Sequence, residues 1–405
     1  MNLSLWLQKY YRRIVSCTLQ LVLILLVAFG LAKAQDFYRA AGRDFFSFWL
    51  GSHMLVNGES PYNPNAWRTG HEYYGGMETA SAINRAYLYP LPLAVFLAPL
   101  GYISLEMAAV LSTSATILVI ILSLQLMRKF GNAPIELKYI LPTAAGIFLF
   151  RPVVVTLYLG QIDVILAFVI LISLLFWQKK KWFLGGFILA FTALKPQTGV
   201  PLLVFVSIWL FFRLKRQAIF GIGTSLMMLY LIGIIFDFQW IQHWLASSND
   251  KVGTKMWSTP TVWGFTNWVC KFNENCSITI SVIALLLLSI GLIIALFRIK
   301  EDKPHIAVGL IIPIILIITP YLWVYSQSIL LLPLLLIWQK LLNFEVPYLL
   351  KASFFILIDL FAISLVSVSM SIGADVITIL VPAVTIGIFV FIGQAEARLK
   401  KYAPS

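Results

Sequence analysis

Asp44 is the residue whose type and position most directly suggest chemistry. It lies in AGRDFFSFWLGSHMLVNGESPYNP, residues 41–64, and starts a segment predicted to be an amphipathic helix. The residues that can share the apolar side of this helix are Phe45, Phe48, Trp49, Leu55 and Val56. A carboxylate at a helix N-terminus commonly acts as a cap, because it accepts backbone N–H bonds and meets the positive end of the helix dipole. At a membrane surface it could instead take a proton from a substrate hydroxyl. The local sequence leaves both roles open.

Three basic residues could serve an anionic substrate. Arg151 stands between Phe150 and Pro152 inside an apolar run, and Lys195 separates two short apolar runs. An ionisable side chain at membrane depth costs free energy, and such residues commonly mark a functional site. Together with Arg43, these two residues could form a basic pocket for a phosphate group. The alternative for Lys195 is a lysine whose chain extends to the membrane surface from the end of a span.

Gln161 and His53 are weaker candidates. Gln161 follows Tyr158 at the end of an apolar run, where a glutamine is ordinarily a terminal hydrogen-bonding group. His53 comes nine residues after Asp44, which is two and a half helical turns, so the two side chains should not share a helix face. The sequence has neither GxxxxGK[ST] nor GxGxxG after a strand, and no Cys/His cluster has metal-ligand spacing. We therefore expect no metal and no cofactor.

The composition indicates an integral membrane protein. Of 405 residues, 60% are hydrophobic and 12% are charged, about half the charged fraction of soluble domains. Many apolar runs are long enough to cross a bilayer. The net charge of +13 is concentrated in short segments between these runs, the pattern of cytoplasmic loops, and so does not indicate nucleic-acid binding. We predict an all-α polytopic fold that forms a single membrane domain over residues 1–405.

The basic clusters predict about twelve crossings, with the N- and C-termini both cytoplasmic. We expect the first apolar run to be retained as a span and not removed as a signal peptide. The predicted spans are 14–33, 104–127, 139–158, 162–178, 182–195, 198–212, 217–236, 277–297, 305–320, 326–340, 352–371 and 375–393.

Three segments depart from simple crossings. Residues 33–87 form a long polar interval, predicted to be an extracytoplasmic loop with amphipathic helices that contribute to the site. Residues 88–102 are short and contain three prolines, so they form either a re-entrant or broken helix or a true crossing. Two short runs within 182–212 flank Lys195-Pro196-Gln197, whose tip should lie beneath the outer surface, facing a polar cavity.

The loop 237–276 is also predicted to be external. It contains five tryptophans, for which an interfacial belt is favoured over sugar- or isoprenoid-binding platforms. Cys270 and Cys276 lie near its end, and a disulfide between them is left open.

Five motifs carry a resemblance to a known family: RDFFSFW, NGESPYNP, YLYPLPLAVFLAPLG, YLGQIDVILAFVIL and ALKPQTGVPLLVF, in this order over residues 43–205. The sequence resembles glycosyltransferase family 87, polytopic enzymes of the C-type glycosyltransferase superfamily (GT-C). The C-terminal half matches that family only in hydropathy. Leu91 stands between Pro90 and Pro92, where the family often has adjacent prolines.

The resemblance implies a membrane-embedded inverting glycosyltransferase. Its donor would be a polyprenyl-phosphate sugar, often mannose, and its acceptor a lipid, a glycan or a protein. The active site would lie on the extracytoplasmic side of the plasma (cytoplasmic) membrane. Asp44 matches the general base of the family. Lys195, Arg151 and Arg43 are then candidates to bind the donor phosphate, and the residues expected to bind substrate are Gln161, Tyr89, Gln197 and His53.

The sequence leaves two other classes of function to compare with a glycosyltransferase. A transporter or flippase of lipid-linked saccharides would also have broken helices and intramembrane charges, but transporters usually show paired repeats, and none stands out here. An assembly or scaffold protein would leave Arg151 and Lys195 unexplained.

Overall fold

The computed structural model describes residues 30, 44–75, 86–127, 137–342, 344, 346–372 and 375–402. These residues form helices and loops, with no strand among them, which confirms the predicted all-α class. The α-helices are, in chain order, α1 Asp44–Val56, α2 Pro64–Gly70, α3 Leu91–Phe96, α4 Ala98–Gly101, α5 Leu105–Met127, α6 Leu137–Leu149, α7 Arg151–Leu159, α8 Asp163–Gln178, α9 Trp182–Leu189, α10 Pro196–Phe212, α11 Arg216–Phe236, α12 Trp240–Lys255, α13 Val262–Val269, α14 Glu274–Arg298, α15 Pro304–Ile318, α16 Leu331–Leu342, α17 Tyr348–Ile372 and α18 Leu380–Tyr402.

Shorter turns of other helical types join some of these helices. His71–Gly75 is a single π-helical turn after α2. Four segments are 3-10 helices: Ala190–Leu194, Met256–Ser258, Val324–Leu330 and Asp375–Ile379.

In the described part of the chain, six helical segments are long and apolar enough to cross a membrane, which confirms a polytopic membrane protein. They are Leu105–Met127, Arg216–Phe236, Glu274–Arg298, Val324–Leu342, Tyr348–Ser371 and Asp375–Gln394. Each coincides with a predicted span. The count rises to seven if α7 and α8, which meet at 114°, are taken as one broken span.

The total of about twelve crossings stays a prediction, since a span normally needs about 20 residues. The predicted spans at 182–195, 198–212 and 305–320 are helices of 10 to 17 residues. The predicted span 14–33 lies outside the described residues except for residue 30.

Two proline-associated breaks shape the middle of the chain. The predicted span 139–158 is not one helix, because α6 ends at Leu149 and α7 starts at Arg151. Pro152 has no backbone N–H to continue the ladder of α6, and the helical bonds resume from the carbonyl of Phe150. The second break is at Lys195, directly before Pro196, and confirms the interruption predicted there.

Helix α1 is more deeply buried than an amphipathic helix would be. Burial extends from the predicted face to Phe46, Leu50, Gly51 and Ser52. Helices α3 and α4 pack against α1, and together they are much too short to cross a bilayer. This confirms a broken helix at 88–102, whereas its depth in the membrane stays a prediction.

The centre of the bundle is formed by α15 and the segment Val324–Leu342. Ile311–Ile318 are all buried, and 89% of the apolar window in Val324–Leu342 is buried within the protein. Helices that are apolar on all sides can be covered only by other helices or lipid, and here the other helices cover them. Cys270 and Cys276 form a disulfide next to the start of α14.

Candidate active site

Four side chains from three distant parts of the chain meet in one hydrogen-bonded row. Asp163 Oδ2 accepts from Lys195 Nζ at 2.5 Å, and the same ammonium donates to Gln161 Oε1 at 2.8 Å. Gln161 Nε2 in turn donates to Asp44 Oδ2. Lys195 and Asp163 are completely buried and Gln161 is 1% exposed, whereas Asp44 is half-buried. The row therefore runs from a buried ion pair to a carboxylate that solvent can reach.

The turn at Gly160 brings Gln161 to Asp44. Gly160 has φ +67°, a left-handed conformation that suits glycine, and it ends α7. A Cβ at this position would lie 2.5 Å from Cβ of Phe45, the residue after Asp44. Only glycine lets the turn approach α1 this closely, so the Gly160-Gln161 pair positions the amide beside the carboxylate.

The break before α10 delivers Lys195 to the same place. Its backbone (φ −122°, ψ 85°) leaves the helical region, since the following proline disfavours a helical conformation at this residue. The Lys195 ammonium also lies 4.5 Å from the ring centroid of Tyr325, a favourable cation–π distance. Its three N–H bonds thus have three partners: Asp163, Gln161 and the aromatic face.

A cavity of about 420 Å³ opens next to this row. Tyr89, Tyr325 and Gln197 line it, together with Pro196 directly after Lys195. The other aromatic and polar lining residues are Trp244, Tyr321, Ser248 and Thr319. All the lining residues that the structure describes are uncharged, and the aromatic rings give the cavity flat apolar walls interrupted by hydroxyl groups.

Tyr89 connects the cavity to Asp44. Its side chain lies close to Gln161, the residue that holds Asp44. Burial raises the pKa of the Tyr89 hydroxyl well above its ordinary value, and the negative charge of Asp44 adds to the shift. The hydroxyl therefore stays protonated at physiological pH and is available as a neutral donor.

A second, apolar cavity of about 240 Å³ adjoins the first. It lies between α3, α10, α11 and α12 and shares Pro196, Val200 and Trp244 with the first cavity. Its lining is almost entirely aliphatic, aromatic and proline side chains. An aromatic cavity with hydroxyl groups therefore lies next to an apolar cavity.

Other residues selected from the sequence lie elsewhere. Arg151 lies 3.9 Å from Asp375, and no contact joins it to the row in the described part of the chain. His53 stacks on Trp49, and its ring nitrogens meet the carbonyl of Gly101 and the hydroxyl of Tyr74. It thus braces α1 against α4, away from Asp44. Arg43 lies outside the described residues.

Three tryptophans of the predicted external loop make hydrogen bonds to the backbone of other segments. Trp240, Trp244 and Trp263 donate their indole N–H groups to the carbonyls of Tyr230, Leu88 and Ile318. The interfacial belt stays a prediction for these tryptophans, and Trp244 also lines the cavity.

No group of three or more metal-ligating side chains occurs in the part of the chain that the structure describes. The carboxylate of Asp163 is paired with Lys195, so the row is a charge-paired network. The arrangement suits proton transfer by Asp44 to or from a neutral substrate group in the cavity.

A family model for glycosyltransferase family 87 matches residues 87–320, more than half of the chain. The chain belongs to glycosyltransferase family 87. Searches of curated proteins and of solved structures found no match. The matched residues include Tyr89, Gln161, Asp163 and Lys195, whereas Asp44 precedes them.

Membership of family 87 makes this protein a glycosyltransferase embedded in a membrane. Sequence reasoning did not select Tyr321, Tyr325 or Trp244 for the site, and it named Asp163 only as the next candidate base after Asp44. Asp163 had a local signal, since it starts α8 only two residues after Gln161. Tyr325 had none, because its contact with Lys195 depends on how α10 and the segment Val324–Leu342 pack.

Proposed function

We propose that this glycosyltransferase moves a sugar, mannose or another hexose or pentose, from a polyprenyl-phosphate donor to an acceptor hydroxyl with inversion at the anomeric carbon. The observation that carries the proposal is the half-buried Asp44 carboxylate, held by Gln161 and close enough to Tyr89, which lines the uncharged cavity, for its charge to act on that hydroxyl. A nucleotide sugar usually carries a diphosphate, which has more negative charge than the single phosphate of a polyprenyl donor. The described cavity lining contains no charged side chain to balance that charge.

The proposed reaction is a single displacement. The Asp44 carboxylate takes the proton of the acceptor hydroxyl as the acceptor oxygen bonds to the anomeric carbon. The bond from that carbon to the donor phosphate oxygen breaks, and its electron pair leaves with the polyprenyl phosphate. A phosphate needs no protonation to leave, so one carboxylate suffices.

The negative charge on the leaving phosphate must be stabilised. Tyr89, a protonated hydroxyl on the cavity wall, is a described donor that could serve this role. Gln197 adds an amide on the same wall. The sequence-based assignment of Lys195, Arg151 and Arg43 to the phosphate stays a prediction. The described contacts of His53 brace α1, and its predicted role as a substrate ligand also stays a prediction.

The adjoining apolar cavity supports a lipid-linked donor. An apolar cavity can hold the chain of such a donor without exposing it to water, which would cost about 0.8 kcal/mol for each CH₂ group. With the sugar among the aromatic rings of the first cavity, the first isoprene units would enter the second. The acceptor, whether lipid, glycan or protein, would approach Asp44 from the solvent-exposed side.

The test is transfer by the purified full-length protein in detergent. Radiolabelled polyprenyl-phosphate mannose and a panel of polyprenyl-phosphate hexoses and pentoses are incubated with a membrane lipid extract. We expect label in a new product from at least one of these donors and none from nucleotide sugars. Because detergent removes all compartments, a transporter or flippase of lipid-linked saccharides would give no product. Transfer from a nucleotide sugar would contradict the proposed donor class.

The charge pattern supports an extracytoplasmic site. Helix α8 runs from Asp163 in the row to Lys179–Lys181, and α10 runs from Lys195 to Arg213, so both basic ends lie about 24 Å from the site. Basic ends are retained in the cytoplasm. We therefore propose that the site faces away from the cytoplasm of a plasma-membrane protein, with both termini inside.

The disulfide provides a test of this orientation. Cys270 and Cys276 lie at the end of α14 opposite Arg298, on the same side as the proposed site. In a Cys17→Ser variant they are the only cysteines. We expect a membrane-impermeant reductant followed by an impermeant thiol reagent to label intact cells. Labelling that requires permeabilised cells would place the site on the cytoplasmic side.

A further inference from the structure

Gln161 links the charged ends of the row through its two amide atoms. Its Oε1 accepts from the Lys195 ammonium, and its Nε2 donates to Asp44 Oδ2. Gln161, Lys195 and Asp163 are buried, so water does not compete for the contact between Gln161 and Lys195.

The charges at the two ends allow only one orientation of this amide. An ammonium group can only donate hydrogen bonds, and a carboxylate can only accept them. If the amide turned over, its NH₂ would point at the Lys195 ammonium and its oxygen at the Asp44 carboxylate, and both contacts would be repulsive. Lys195 thus decides which group Gln161 presents to Asp44, although it does not touch Asp44 in this arrangement.

The ammonium that sets this polarity is itself held in place. Asp163 lies 2.5 Å from it, and the Tyr325 ring covers its remaining side. Its donors are all engaged, and Tyr325 lines the cavity whereas the completely buried Lys195 does not. Contact with a donor phosphate would require Lys195 to give up one of these partners.

We propose that Lys195 and Gln161 are positioning residues, which aim the Asp44 carboxylate at the acceptor hydroxyl. This inference rests on the proposed function, in which Asp44 is the general base. It replaces phosphate binding, the role that the sequence suggested for Lys195, with control of the base through one amide. Asp163 has the supporting role of keeping Lys195 charged and in place.

The first test is Gln161→Met, which keeps the length of the side chain and removes both hydrogen bonds. Transfer from polyprenyl-phosphate mannose, or from the panel donor that is turned over, is measured against pH. We expect kcat to fall about 100-fold, the size of effect that a 1 Å misplacement produces, with the donor KM unchanged. The acidic limb of kcat/KM should move to higher pH, because a carboxylate that loses a hydrogen bond to its charged form takes up a proton more readily.

Gln339→Met is the matched control. Gln339 is also a buried glutamine, and its amide donates to the carbonyl of Met127, far from the site along α16. This variant should keep the parent kcat and pH profile. A purely structural effect of losing a buried amide would appear in both variants and would not move the acidic limb.

The second test removes both buried charges in the double variant Lys195→Met/Asp163→Asn, so that no unpaired charge is left inside. We expect the same loss in kcat and the same movement of the acidic limb. A raised donor KM with an unmoved acidic limb would mean that Lys195 binds the phosphate directly, and would overturn the proposal. So would parent-like kinetics in Gln161→Met while Asp44→Asn is inactive. An active Asp44→Asn would instead refute the general-base assignment on which the proposal rests.

Discussion

Asp44→Asn is expected to fold normally and to lose 10²- to 10⁴-fold in transfer rate, the usual contribution of a general base. Asparagine has the shape of aspartate, and its Oδ1 can still accept the hydrogen bond from Gln161 Nε2. It also caps a helix nearly as well as aspartate does. The variant therefore keeps the contact with Gln161 and removes the ability of the side chain to take a proton. The measurement is single-turnover transfer by purified protein, with thermal unfolding in detergent as the check on folding.

Glu59→Gln is the matched control for this variant. Glu59 lies in the same part of the chain, is exposed and loses the same charge. It should keep the parent rate. If Asp44→Asn also transfers sugar at the parent rate, Asp44 is not the base. Asp163, the next carboxylate suggested by the sequence, would be a poor replacement, because it is completely buried and paired with Lys195.

Lys195→Met alone is expected to lower the free energy of unfolding by about 3–5 kcal/mol, the cost of removing one partner of a buried ion pair. The Asp163 carboxylate would remain in an interior from which water is excluded, with its closest counter-charge gone. Restoring neutrality with Asp163→Asn should recover much of this loss, because the remaining groups are uncharged. Thermal unfolding of the parent, Lys195→Met and Lys195→Met/Asp163→Asn in one detergent measures the effect.

Lys215→Met provides the comparison for stability. Lys215 pairs with Glu301 at a similar distance, 2.6 Å, but the glutamate side chain is 61% exposed. Exposed pairs contribute at most about 1 kcal/mol, so this variant should unfold close to the parent temperature. If Lys195→Met were no more harmful than Lys215→Met, the buried pair would not exist in the folded protein, and the positioning role of Lys195 would lose its basis.

The sequence by itself determined the features that depend on composition and local pattern. The excess of apolar residues required a membrane protein, and the length of each run placed the six long helices. Pro196 predicted the interruption at Lys195, and the three prolines of 88–102 predicted a broken helix, since proline removes a backbone donor wherever the chain folds. The sequence alone identified Asp44 as the candidate base. The five motifs over residues 43–205 indicated the family that the comparison confirms.

Only the tertiary structure decided which of these residues act together. Asp44 and Gln161 are 117 residues apart, and Lys195 and Asp163 are 32 apart, so no periodicity connects them. Lys195 looked like a free cation for phosphate because its partner lies on another helix. Arg151 looked like part of the same pocket, yet the break at Phe150 sends it to Asp375. The sequence suggested a membrane anchor for Trp244. In the structure its indole N–H donates to the carbonyl of Leu88, and both residues line the cavity. The burial and pairing of these side chains depend on which helix ends lie next to each other. In a bundle whose helices are apolar on nearly every side, the local sequence pattern does not predict those contacts.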